Sequence, residues 1–144
     1  IIFYLEKGNF KNAKIFLDPA LYDASFRKYN VIKADYSKSM YNKTKFAIIK
    51  PGLGTVEECL MRGIPILAYC KNTFPEFQYN AKIIRKFKLG YNFKTISKSI
   101  NFILRNFNDK KLLFSHERRC ANLKWCGEKI IEKYLKSQVN FYKY

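Results

Sequence analysis

The chain has 144 residues, of which 48% are hydrophobic and 17% are aromatic. This length is typical of one domain, and this apolar content excludes an intrinsically disordered protein. The formal net charge of +17 favours anionic partners such as nucleotides, nucleic acid or an anionic membrane surface. The lysines are scattered along the sequence, however. We therefore expect no nucleic acid partner, because nucleic-acid-binding residues usually concentrate on one face or one helix.

The first third of the sequence predicts two short strands and one short helix. Apolar runs bounded by turn residues indicate strands at Lys14–Leu17 and Val31–Ala34. Ser37 is the expected N-cap of a helix at Lys38–Asn42. This helix is expected to bury two side chains, Met40 and Tyr41.

The central part predicts a strand, a glycine-containing turn, a helix and a second strand. The strands are expected at Phe46–Ile49 and Ile64–Tyr69, and the helix at Thr55–Arg62. A further helix is predicted at Glu76–Lys88, with Gly90 in the role of its C-terminal cap. The strand, turn, helix and strand from Phe46 to Tyr69 form a βαβ unit. The glycine turn of this unit delivers backbone N–H groups to the start of its helix, and this geometry binds anions, phosphate above all.

The last part predicts two helices, Thr95–Phe107 and Lys110–Lys136. His116 lies on the apolar side of the second helix, which favours packing over catalysis. The spacing of His116, Cys120 and Cys126 matches no standard zinc pattern, so we predict no metal site and no cofactor.

Alternating strands and helices predict an α/β fold, with a Rossmann-like parallel sheet flanked by helices. Four predicted strands are few for such a fold, and residue 1 is Ile rather than Met. We therefore expect a domain that is incomplete at its N-terminus and occupies residues 1–144, with residues 110–144 as a C-terminal helix and tail.

The expected location is the cytoplasm. No run of about 18 apolar residues predicts a transmembrane helix, and no basic leader precedes the apolar start. Cys59 and Cys70 lie in apolar segments, where free cysteines pack as small hydrophobes in a reduced setting. The positive charge also allows peripheral attachment to the inner face of the membrane.

Three sequence blocks together carry a family resemblance. They are Pro51-Gly52-x-Gly54-Thr55-Val56-x-Glu58, Gly63-Ile64-Pro65 and Glu76-Phe77-x-x-Asn80-Ala81. In this order and spacing they resemble the C-terminal, donor-binding domain of GT-B fold glycosyltransferases. The most similar families are those of the lipid II N-acetylglucosaminyltransferase and the UDP-glycosyltransferases. The resemblance implies an enzyme that transfers a sugar from a nucleotide-sugar to an acceptor that the sequence does not identify, and the expected donor is a UDP-sugar.

The resemblance also implies roles for the residues of the first block. The backbone N–H groups of Gly52, Leu53, Gly54 and Thr55 would hold the donor pyrophosphate, and Thr55 can also cap the helix. Glu58 would accept hydrogen bonds from both ribose hydroxyls.

The third block would contact the sugar. Glu76 matches the first of two polar positions that face the transferred sugar in the family, whereas Phe77 stands where Gln is usual. Asn80 would pin its helix to the phosphate loop. No residue is assigned as a catalytic base.

Other functions remain open. A nucleotide-sugar 2-epimerase or hydrolase shares the fold, and Thr73-Phe74-Pro75-Glu76 resembles an epimerase motif one residue short. A basic nucleic-acid-binding domain is the alternative from a different class, although most aromatic residues fall on predicted core faces.

Overall fold

The computed structural model describes residues 13–70 and 74–123. In these residues the chain is a mixed α/β structure, in which small parallel sheets are flanked by helices. The predictions for Thr73, for Cys126 and for the chain beyond Leu123 fall outside them.

Strands and helices alternate along the described chain. The strands are β1 (Ile15–Leu17), β2 (Val31–Lys33), β3 (Ala47–Ile49), β4 (Ile66–Tyr69) and β5 (Gly90–Phe93). The helices are α1 (Lys38–Asn42), α2 (Leu53–Met61), α3 (Pro75–Lys86), α4 (Ile96–Asn106) and α5 (Lys110–Ala121). Two short 3₁₀ helices, Pro19–Leu21 and Ala24–Tyr29, connect β1 to β2.

The first sheet pairs β1 with β2 in parallel, with Ile15 opposite Val31. Asp18 and Asp23 cap the two 3₁₀ helices, because the carboxylate of each accepts a hydrogen bond from the backbone N–H two residues later. Leu17 and Val31 form the buried centre of this small unit.

The second sheet has the order β3-β4-β5, and all its strands are parallel. Its central strand β4 is completely buried at Ile66, Leu67 and Ala68. Helix α2 connects β3 to β4, and helix α3 connects β4 to β5. Such crossovers place the connecting helices against the faces of the sheet.

The main core lies between this sheet and helices α1, α2, α3 and α5. Ile66 and Ala68 of β4 point into it, because alternate residues of a strand share a face. The helices contribute buried residues to the same cluster: Met40, Tyr41, Val56, Cys59, Leu60, Ala81, Ile84 and Cys120.

Helix α4 covers the opposite face of the sheet. The Phe102 ring centre lies 4.3 Å from that of Tyr91 and 5.6 Å from that of Phe93, both on β5. Since Leu67 pairs with Tyr91, these aromatic side chains share a face with Leu67. The described part of the chain therefore has helices on both faces of its second sheet.

The sequence correctly predicted most of these elements. Ser37 caps α1 by accepting a hydrogen bond from the Met40 N–H, and Met40 and Tyr41 are buried as expected. Four strands lie where they were predicted, with ends that differ by no more than two residues.

Three predictions about helix ends were wrong. Helix α2 begins at Leu53 rather than Thr55, and α5 ends at Ala121 with Asn122 as its C-cap. Helix α3 ends at Lys86, so Gly90 does not cap it but begins strand β5, which was not predicted. Among the helices of the described residues, none is long and apolar enough to cross a bilayer.

Candidate functional site

The turn between β3 and α2 places free backbone N–H groups at the start of a helix. Gly52 is the N-cap, and the first helical hydrogen bond runs from the Val56 N–H to the Gly52 carbonyl at 3.0 Å. The N–H groups of Leu53, Gly54 and Thr55 therefore have no acceptor among the described residues. They lie at the positive end of the α2 dipole, where an anion is stabilised.

The structure corrects the expected role of Thr55 as a cap. Gly52 occupies the cap position, and no side chain caps this helix. Thr55 is the third residue of α2 and is half-buried. Its N–H remains one of the three unpaired donors, but its hydroxyl does not satisfy the end of the helix.

The space in front of the turn is open. Leu53 is 68% exposed, and a Cβ atom added to Gly54 would meet no heavy atom within 4 Å. The backbone at Gly54 can therefore be approached closely by a ligand, because it carries no side chain on its open side.

Two of the three sequence blocks meet at this turn. The side-chain amide of Asn80 on α3 donates a hydrogen bond of 2.8 Å to the Pro51 carbonyl. The Phe77 ring lies 3.6 Å from the position of a Cβ on Gly52. Asn80 thus holds α3 against the glycine turn, in agreement with the sequence prediction.

The start of α3 is exposed beside the turn. Glu76 lies in the first turn of α3 with its side chain in solvent, where the helix dipole favours a negative charge. Phe77 is half-buried, and the exposed ring of Phe74 packs on it edge to face at 6.0 Å. The position predicted for the second sugar contact therefore carries an aromatic side chain rather than an amide.

Glu58 has a partner that was not expected. Its carboxylate forms an ion pair with Arg62 one helical turn later, and the Glu58 and Arg62 side chains are 45% and 21% exposed. The Arg62 guanidinium lies over the Tyr41 ring at 5.3 Å. Only Oε2 of Glu58 bonds to Arg62, so Oε1 faces no donor among the described residues. Glu57, the preceding residue on α2, is exposed.

Polar residues that the sequence analysis missed follow the carboxyl ends of β1 and β2 in the first sheet and of β3 in the second. Asp18 follows β1, Tyr36 comes three residues after β2, and Lys50 follows β3 directly before the turn. Ligands of open parallel sheets bind at this edge. Asp18 and Lys50 each directly follow a strand, and this position is the sequence signal that could have identified them.

These residues interact with one another. The Tyr36 hydroxyl donates a hydrogen bond to Asp18, which is the main reason that the pKa of Asp18 lies below its usual value. The Ala20 N–H and, to a smaller extent, the charge of Lys50 lower this pKa further. The same hydrogen bond raises the pKa of Tyr36 to about 12. Asp18 is therefore an anion and Tyr36 a neutral phenol at physiological pH.

The buried His116 and cysteines belong to the core. His116 is 1% exposed, and its Nε2 lies 3.4 Å from the Cys120 Sγ. Burial lowers the pKa of His116 to about 4 and raises that of Cys59 to about 12. His116 is thus neutral and Cys59 a thiol at neutral pH, which agrees with their predicted packing role and disfavours nucleophilic chemistry.

The described residues contain no group of three or more His, Cys, Asp or Glu side chains that could hold a metal ion. The glycine turn can bind an anion through its backbone N–H donors, with Lys50 and Glu58 at its flanks.

We compared the chain with protein-family models and with curated proteins, and neither comparison finds a match.

Proposed function

We propose that this chain binds the nucleotide-sugar donor, most suitably a UDP-sugar, of a glycosyltransferase with the GT-B fold. The hydrogen bond from Asn80 to the Pro51 carbonyl carries the proposal. It joins the glycine turn to the helix of the third sequence block, the two segments to which the proposal assigns the pyrophosphate and the sugar.

The donor pyrophosphate is the ligand that best fits the start of α2. Three unpaired N–H groups, the helix dipole and the exposed Lys50 all favour an anion there. The dipole alone contributes roughly 0.3 to 2 kcal/mol. The open space at Gly54 allows phosphate oxygens to reach the backbone.

The nucleoside and the sugar are proposed to lie on either side of the pyrophosphate. Glu58 is on α2 one turn beyond Thr55, where its free Oε1 accepts a hydrogen bond from a ribose hydroxyl. Glu76 and Phe77 lie at the start of α3, where they contact the sugar. Phe77 offers an apolar ring in place of an amide, so it packs against a sugar C–H face instead of bonding to a hydroxyl.

The proposal covers donor binding. Transfer also needs an acceptor and a base to deprotonate it, and none of the described residues is assigned to either task. His116 is excluded as that base because it is buried in the core.

Calorimetric titration of the protein with UDP, GDP, dTDP and a short single-stranded DNA tests the proposal. We expect a nucleoside diphosphate to bind more tightly than the DNA at physiological salt. Binding of DNA far more tightly than of any nucleotide would instead support a nucleic-acid-binding domain.

The substitution Gly54→Ala sharpens the test, because the added methyl group enters open space and leaves the fold intact. Thermal stability should stay equal or rise slightly, since Ala is the better helix former. Nucleotide affinity should fall about tenfold, or about 1.4 kcal/mol, as the methyl group obstructs the phosphate. Glu57→Ala, on the exposed side of the same helix, is the matched control. Unchanged nucleotide affinity in Gly54→Ala would show that the phosphate does not bind at this turn.

A further inference from the structure

One face of the protein combines exposed aromatic rings with basic residues. Helix α5 carries Phe114, which is 67% exposed. Three basic side chains on the same outward side are also exposed, namely Lys110, Lys111 and Arg118. They lie three or four residues from Phe114, and this spacing places them around its ring on a helix.

The turn between α3 and β5 lies beside this helix. Arg119 donates a hydrogen bond of 3.0 Å from Nε to the Lys88 carbonyl and one of 2.6 Å from Nη1 to the Ser115 hydroxyl. Ser115 is one helical turn from Lys111, so the turn borders the exposed side of α5. It brings a second exposed aromatic residue, Phe87, which is 54% exposed, together with the exposed Lys88.

We propose that this basic face, formed by Phe87, Lys88, Lys110, Lys111, Phe114 and Arg118, docks the protein on an anionic lipid bilayer. The two phenyl rings enter the interface, and the ammonium and guanidinium groups contact lipid phosphates. Aromatic side chains flanked by lysine and arginine are the usual chemistry of interfacial membrane contacts.

The arrangement favours a bilayer over a nucleic acid. The rings stand on the outer side of a helix and at a turn, whereas aromatic residues that stack on single strands line a basic groove. The exposed Glu117 lies three residues from Phe114 on the same helix, so the α5 part of the face carries three positive charges and one negative charge. The proposal does not depend on nucleotide binding at the glycine turn.

Vesicle flotation tests the proposal. Vesicles of phosphatidylcholine with phosphatidylglycerol should carry the protein upwards, and vesicles of pure phosphatidylcholine should not. Replacing Lys110, Lys111 and Arg118 by Gln should weaken partitioning about a hundredfold, at roughly fivefold per charge. Raising the salt concentration should weaken it as well.

Two control variants separate this face from general charge and apolarity. Replacing Lys33, Lys38 and Lys43 by Gln removes the same charge from exposed positions around β2 and α1. Leu21→Ser removes an apolar side chain that is 66% exposed, and it matches Phe114→Ser. Both controls should partition like the unchanged protein, whereas Phe114→Ser should partition less.

Three results would overturn the proposal. Equal binding to both vesicle types would exclude an anionic membrane as the specific partner of this face. An equal loss in the two triple variants shows that net charge alone attaches the protein. Tight binding of single-stranded RNA that the Lys110, Lys111 and Arg118 variant abolishes, without vesicle binding, assigns the face to nucleic acid.

Discussion

Substitution of Glu58 is the sharpest test of the nucleoside site, because in the structure Arg62 competes with the proposed ribose for this carboxylate. We consider Glu58→Ala beside Arg62→Ala, which removes the other half of the same ion pair. Glu58 lies on α2 and Arg62 is the C-cap of that helix, and neither side chain is in the buried core. Each variant should therefore fold.

The magnitudes decide which interaction prevails at Glu58. An i,i+4 ion pair that is partly exposed contributes roughly 0.3 to 0.5 kcal/mol, and solvent screens it further. A hydrogen bond from a ribose hydroxyl to a carboxylate contributes roughly 1.5 to 3 kcal/mol. The ion pair therefore does not prevent binding, but it occupies one carboxylate oxygen. We expect Glu58→Ala to weaken UDP binding about tenfold to a hundredfold, and Arg62→Ala to change it less than about threefold.

Calorimetric titration with UDP and with inorganic pyrophosphate measures both effects. Because Glu58 is assigned to the ribose, Glu58→Ala should leave pyrophosphate affinity unchanged or slightly higher. Equal weakening of both ligands would mean that Glu58 acts on the turn and not on the nucleoside. Unchanged UDP affinity would exclude Glu58 from the site.

Three further predictions concern the stability of the fold. Gly90→Ala should destabilise it by about 1 to 3 kcal/mol in urea unfolding, because the new Cβ would lie 2.3 Å from the Ile66 carbonyl oxygen. Ser99→Ala should be neutral or stabilising by about 1 kcal/mol in the same assay, since the buried hydroxyl has no hydrogen-bond partner within residues 13–70 and 74–123; a clear loss would contradict this. The pKa of His116 is about 4 in the folded protein and 6.5 in the unfolded chain. Protonation below pH 6.5 therefore favours the unfolded chain, whereas above pH 6.5 the residue is neutral in both states. Stability should fall by up to about 3 kcal/mol between pH 6.5 and pH 4, and His116→Gln should flatten that part of the urea-midpoint profile.

The elements that the sequence predicted well are those with local signals. Ser37 caps α1, and Thr95 caps α4 by accepting a hydrogen bond from the Lys98 N–H, so both helix starts were readable from single residues. The apolar run of β4 is completely buried, and such a run needs no partner to be recognised.

The missed strand β5 shows where local signals fail. Gly90 follows a helix, which ordinarily marks a C-cap. In the structure Lys88 takes the left-handed conformation instead, with φ of 55°. Gly90 is then needed because a Cβ atom at this position would lie within 3 Å of Ile66 and Ile84. That requirement comes from packing between segments that are far apart in the sequence, so a local sequence pattern does not show it.

Part of the candidate site was also predictable from the sequence. The glycine turn is visible in the sequence, the Asn80 contact is what the family resemblance implied, and in the structure a hydrogen bond joins the turn to α3. The Glu58–Arg62 pair also follows from i,i+4 spacing, which the sequence analysis did not use. The hydrogen bond between Asp18 and Tyr36 joins the ends of two strands and required the parallel register of β1 and β2.

The contrast among three glycines gives the strongest physical support for a ligand at the turn. Gly63 has a φ of 63° and lies against the Glu117 backbone, and Gly90 lies against Ile66, so the fold itself requires both. Gly54 has neither constraint, and Ala there would strengthen the helix by up to about 1 kcal/mol. The proposed close approach of a ligand to the Gly54 backbone would account for a glycine at a position where the fold does not require one. This explanation predicts that Gly54→Ala separates stability from nucleotide affinity, whereas Gly63→Ala and Gly90→Ala lower both together.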